Sequence, residues 1–232
     1  MGKIKKELFE EYVKFWNENK DNDDFVNFFD KFTDYAPKIE IGDFDDNVRN
    51  GLLFVSCNPS GADIEYYKKK NVNKEKVIWY NPEDGKDTSG FLETLGKFAK
   101  NCGYEKKYSK LDVFCIVKKS QKEVREHYKE YKDIYEKMFD IFVSTVKKLE
   151  PKVIVVANAF VRDLFQNDFR EKVGYDKDQD FKCGGHKAKF GEHETYIFFT
   201  SMLSGGRALD VGSREVLEWA VKKHKRKKNN RQ

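Results

Sequence analysis

Four short apolar runs, Gly51–Cys57, Leu111–Val117, Val153–Ala157 and Thr195–Thr200, constrain this chain most, because each leads into a segment with helical periodicity. A strand buried on both faces reads as an unbroken apolar run, and a parallel neighbour is reached only through a crossover, usually a helix. The first run leads to Thr88–Ser89, an N-cap pair for a helix over Phe91–Asn101. The second leads to Gln121–Leu149, where Tyr131, Tyr135, Met138, Phe142 and Val146 mark an inward face and Pro151 supplies the stop. Helical spacing returns over Ala159–Phe169 and again over Gly212–Lys223. The alternation predicts an α/β fold, a three-layer α/β/α sandwich with a central, mostly parallel four-stranded sheet.

Upstream of the first run, Leu8, Tyr12, Phe15, Trp16, Phe25, Phe28, Phe29 and Phe32 recur at steps of three and four. The polar break Asn19–Asp24 divides them, which predicts two N-terminal helices within residues 3–35, packed on the domain. The stretch Gly61–Asp87 has no clear period, and Lys182–Glu194 reads as hairpin-like. At 232 residues the chain fits one domain, taken as residues 1–221 and followed by a basic tail over 222–232. From Lys222 to Arg231 seven Lys and Arg residues occur without an acid, a local positive field suited to phosphates, although a solvated terminus has the same composition.

Aromatic residues make up 15% of the chain, the core material that disordered sequences lack. No apolar stretch approaches the roughly 18 residues of a membrane span, so no membrane partner is expected. Met1–Glu11 mixes Lys and Glu and carries no apolar leader, which gives the expectation of a cytoplasmic protein. Cys57, Cys102, Cys115 and Cys183 are scattered, with no pair at metal-ligand spacing. Reduced thiols and no metal are expected. The net charge of +5, from 45 basic and 40 acidic residues, says little about a partner by itself.

Ligands of open parallel sheets bind beyond the carboxyl ends of the strands, here near Asn58, Lys118, Asn158 and Ser201. The first loop, Ser56-Cys57-Asn58-Pro59-Ser60-Gly61, puts an amide at a strand tip beside a rigid Pro and a Gly that admits close approach. The same residue types also make an ordinary turn. The last loop, Thr200-Ser201-Met202-Leu203-Ser204-Gly205-Gly206-Arg207, combines hydroxyls, backbone donors and an Arg, all phosphate ligands, with an apolar Leu of the kind that unstacks a base.

With their order and strand context, these two loops resemble the uracil-DNA glycosylase superfamily over about Gly51 to Trp219. Ser56-Cys57-Asn58-Pro59-Ser60 is similar to the Gly-x-Asn-Pro-Gly motif of the mismatch-specific and single-strand-selective branches. By that match Asn58 orients the attacking water, and Cys57, Pro59, Ser60 and Gly61 border the base. Thr200-Ser201-Met202-Leu203-Ser204 is similar to the end of the His-Pro-Ser-Pro-Leu-Ser motif. The resemblance then implies that Ser201, Ser204, Gly205 and Arg207 hold backbone phosphates and that Leu203 fills the gap left by a flipped nucleotide. Asp112 is the nearest counterpart of the residue that reads the base edge, although an Asp that caps a strand edge fits the same position, and Trp79, Tyr80 and Phe91 fall where a stacking ring is expected.

The implied activity is hydrolysis of the N-glycosidic bond of a flipped, damaged or deaminated base, uracil or a relative, in single- or double-stranded DNA. It needs no cofactor, and a monomer is expected. Two departures leave alternatives open. Phe199 occupies the place of the motif His, whose hydrogen bond to a developing base anion is worth about 2.7–4 kcal/mol. Asn58 stands where the fastest branch has a carboxylate base. A non-catalytic nucleic-acid-binding protein on the same scaffold, or a nucleoside or nucleotide hydrolase, fits those departures.

Overall fold

Along β2 (Leu52–Ser56) and β5 (Val153–Val156) side chains alternate between the two faces of a sheet, yet Leu52 to Val55 and Val153 to Val156 are all buried. Both faces of these strands are therefore covered, as the unbroken apolar runs require. The computed structural model describes residues 2–30, 39–42, 45–46, 48–58, 77–80, 90–116, 121–176, 184–203 and 208–226. Its order begins with α1 (Lys3–Asn19), α2 (Asp23–Asp30), β1 (Ile39–Gly42), β2, β3 (Val77–Tyr80), α3 (Phe91–Asn101) and β4 (Tyr108–Asp112). There follow α4 (Gln121–Glu130), α5 (Lys132–Leu149), β5, α6 (Ala159–Gln166), β6 (His186–Phe190), β7 (His193–Phe199) and α7 (Val211–Arg226).

The main sheet is mostly parallel and runs β4-β2-β5-β7-β6. It has five strands rather than the expected four, because the hairpin-like stretch supplies β6, antiparallel to β7 with Phe190 opposite His193. Leu52 pairs with Val153 and Val153 with Tyr196, both in parallel register. The chain leaves β2 for β4 on one side and returns to β5 on the other, so the winding reverses at β2. The second strand is displaced from Leu111–Val117 to Tyr108–Asp112. Val113 to Ile116 are buried all the same, so their apolar run reports burial and not strand pairing.

The chain divides into two compact units. One comprises Asp45–Ser56, Asp87–Leu111 and Val146–Gln232 and holds most of the five-stranded sheet. Its core joins Leu52, Phe54, Val153, Val155 and Phe198 of the sheet to Leu95, Phe98 and Ala99 of α3 and Ala220 and Val221 of α7. Each such leucine, valine or phenylalanine contributes about 1.5–3 kcal/mol by leaving water. Asn158 caps α6, its side chain accepting from the Val161 N–H at 3.0 Å, and Asp210 caps α7 through the Ser213 N–H at 2.9 Å.

The other unit comprises Met1–Phe44, Cys57–Lys86 and Asp112–Thr145. The two expected N-terminal helices are α1 and α2, with Leu8, Tyr12 and Phe15 on the buried face of α1. Phe32 and the rest of the expected span to residue 35 lie outside the described residues. A two-stranded parallel sheet pairs β1 with β3, Ile39 opposite Val77. Instead of one helix over Gln121–Leu149 there are two, parted at Tyr131, whose ring meets Phe28 edge-on at 5.3 Å.

The basic tail does not begin at Lys222, because α7 continues to Arg226. His224 is buried against Tyr196 and Phe198, at ring separations of 4.1 and 5.3 Å, and the Lys225 ammonium donates to the Gly103 carbonyl. Residues 222–226 are thus structural, and only Lys227 onward lies outside the described residues.

Candidate functional site

In open parallel sheets ligands bind beyond the carboxyl ends of the strands where the winding reverses, and Cys57 and Asn58 are the residues that follow β2. The Phe114 N–H donates to the Cys57 carbonyl at 2.9 Å, and the Asn58 Nδ2 donates to the Ile116 carbonyl at 3.2 Å. Those two bonds stitch the segment after β2 to the segment after β4. They also fix the plane of the Asn58 amide, which is half-buried. Asp112, the last residue of β4, is 5% exposed, and its Oδ2 lies 3.6 Å from where a Cβ on Gly42 would stand. A carboxylate that deep needs partners, and Asp112 has them, so it is a positioned polar group.

Burial, reinforced by the Asp112 charge, pushes the Cys57 thiol far up, so Cys57 is a neutral thiol and not a nucleophile. Burial, then neighbouring Cys115, likewise holds the Tyr12 phenol well above its ordinary value. Cys102 in the other unit is pushed up to about 12 by burial and by Glu218. Among the described residues Cys57, Cys102 and Cys115 form no disulfide, and Cys183 lies outside the described residues. Among the described residues no cluster of His, Cys, Asp and Glu has the makings of a metal site, and no helix is long and apolar enough to cross a membrane.

In the unit that carries the sheet, the loop after β7 starts Thr200, Ser201, Met202, Leu203. Ser201 is exposed, as a phosphate ligand must be. Leu203 is not the exposed wedge expected of it: it is 4% exposed and belongs to the core of Leu52, Phe54 and Phe198. The error is one of direction. In an extended segment neighbouring side chains point to opposite sides, and Met202, 40% exposed, points outward where Leu203 points in. Met202 is held by a bridge to Ala208 and by its carbonyl accepting from Leu209 N at 3.0 Å.

Phe199 is half-buried, its ring 5.7 Å from Tyr175 and 5.6 Å from His186. His186 went unnoticed in sequence because it lies in the hairpin-like stretch. Since β6 runs antiparallel to β7, its first residue stands opposite Ile197, near the carboxyl end of β7. Gln166 Nε2 donates to the Tyr175 hydroxyl at 3.3 Å, and that hydroxyl is 3.1 Å from His186 Nδ1. Burial lowers the His186 pKa, which favours the neutral ring. Thr200 adds a buried hydroxyl with no protein partner among the described residues.

Several expected site residues, Pro59, Ser60, Gly61, Ser204, Gly205 and Arg207, lie outside the described residues, as does Lys118. Of the stacking candidates, Trp79 is half-buried with the Lys5 ammonium 5.8 Å from its ring, and Phe91 faces the Lys110 ammonium at 5.8 Å. Asn158 is committed to capping α6. No protein-family model and no curated protein matches the chain.

Proposed function

We propose that the protein is a DNA glycosylase-like enzyme that hydrolyses the N-glycosidic bond of a flipped, damaged or deaminated base on a three-layer α/β/α scaffold. The observation that carries this is the Asn58 amide, fixed by its 3.2 Å bond to the Ile116 carbonyl just past the strand where the winding reverses. An anchored amide holds a water in one orientation, which converts a diffusive encounter into a positioned attack. In this chemistry the C1′–N bond breaks and its electron pair leaves with the base. The held water then adds to the sugar cation, and its proton passes to the base anion. Asp112 accepts a hydrogen bond from a base N–H. Ser201 donates to a phosphate. In the unit that holds the sheet, the His186 ring stands 5.6 Å from Phe199, the residue at the position of the motif His.

Met202, not Leu203, serves here as the intercalating side chain. A duplex with 2-aminopurine as the flipped base tests this. Fluorescence rises on binding of the parent and rises much less with Met202→Ala, whose melting temperature stays unchanged because the side chain is exposed. An equal rise with both proteins removes Met202 from the flipping step. The burial of Leu203 favours a second reading, nucleic-acid binding without cleavage, because the side chain of the resembling motif that fills the gap is unavailable.

A further inference from the structure

We propose that the amino-terminal edge of the sheet carries a separate binding groove for the phosphodiester backbone of a nucleic acid, built on Lys106, Lys107, Lys152 and Lys225. These lysines line an open groove of about 610 Å³ with Tyr104 and Glu105, within the unit that holds the sheet. Glu105, the one carboxylate of the lining, is drawn to Lys100 at 3.9 Å. Lys106 and Lys107 are exposed, and neither has an acidic partner among the described residues. A concave surface with four cations and one occupied anion focuses positive potential, and phosphates are the groups such potential recruits.

The convergence is built into the backbone. Gly51, whose N–H donates to the Val48 carbonyl at 2.6 Å, lets the Lys107 segment close on it: a Cβ there would stand 2.3 Å from the Lys107 carbonyl oxygen. The Lys107 carbonyl accepts from Leu52 N at 2.9 Å, and Lys152 N donates to the Gly51 carbonyl at 2.9 Å. Lys107 and Lys152 thereby enter β4 and β5 on either side of β2. From α7, Lys225 reaches the Gly103 carbonyl, and Lys152 Nζ donates to the Lys225 carbonyl at 2.9 Å. Backbone carbonyls thus hold the Lys152 and Lys225 ammonium groups in place at the rim of the groove. Beyond Lys225 the sequence continues with Arg226, Lys227, Lys228 and Arg231, which suits a polymeric anion better than a single phosphate.

This groove lies at the end of the strands opposite to Ser201, so it goes beyond the proposed excision chemistry and stands whether or not a base is released. Because their side chains are exposed and only their backbones pair, Lys106→Ala with Lys107→Ala preserves the fold, checked by an unchanged melting curve. Binding of a fluorescent 30-nucleotide DNA is then measured by anisotropy across salt concentrations. Two lost phosphate contacts flatten the slope of log K against log salt by about 1.8 for duplex and about 1.4 for single strand. Lys106→Arg with Lys107→Arg keeps the parental slope. An unchanged slope in the alanine variant overturns the proposal. So does a variant that keeps its DNA affinity but loses binding to phosphatidylserine vesicles, which would assign the groove to a membrane surface. A parent that binds DNA through these lysines and releases no base would refute the glycosylase reading and leave the groove standing.

Discussion

Asn58→Ala is expected to slow base release by about 10²–10³-fold while DNA affinity stays at the parental level. The magnitude is that of deleting one preorganised polar group from a reacting centre. The selectivity follows from where affinity comes from: phosphates supply most of it, and Asn58 touches none in the proposed arrangement. The substitution also removes the Nδ2 bond to the Ile116 carbonyl, at a cost of about 0.5–1.5 kcal/mol. A small drop in melting temperature therefore accompanies the loss of activity and does not explain it. Single-turnover release and anisotropy, measured on the same preparation, separate the two. Equal release by variant and parent would make Asn58 a turn residue, the other role its sequence context allows.

Leu203→Ala is expected to destabilise the fold by about 2–5 kcal/mol, a large share of the 5–15 kcal/mol typical of a domain. Leu203 closes one edge of a core that includes Leu52, Phe54, Phe98, Val155 and Phe198. Truncating it leaves a cavity lined by strands and helices that cannot collapse independently. Urea unfolding monitored by fluorescence measures the loss. The neighbouring Met202→Ala should fall within about 0.5 kcal/mol of the parent, as exposed substitutions do. If both variants unfold at the parental midpoint, Leu203 is not core and a wedge role returns to it.

The contrast between these two neighbours shows what was legible in the sequence. Leu52 to Val55 and Val153 to Val156 announced themselves as strands because burial on both faces permits no polar residue. The same logic misplaced the second strand, since Val113 to Ile116 are equally buried without pairing as a strand. β1 and β3 were hidden because each is four residues long, and Glu40, buried between Ile39 and Ile41, breaks the apolar run. The last turn of α7, after Lys223, was hidden because His224 to Arg226 contain no aliphatic side chain, and His224 packs through its ring. Asn58 stood out in the sequence because it follows a strand end, and Asp112 only through the resemblance. His186 did not, because only the antiparallel pairing of β6 with β7 brings it beside Phe199.

The most direct test of base excision is a panel of oligonucleotides bearing uracil, hypoxanthine, xanthine or mismatched thymine, incubated with the parent protein and then treated with alkali. Hydrolysis of the N-glycosidic bond leaves an abasic site that alkali cleaves, so at least one of these strands should break at the modified position. That break should vanish with Asn58→Ala. Intact strands across the whole panel, from a protein that binds the same oligonucleotides, would contradict the proposed activity and leave nucleic-acid binding as the function of the scaffold.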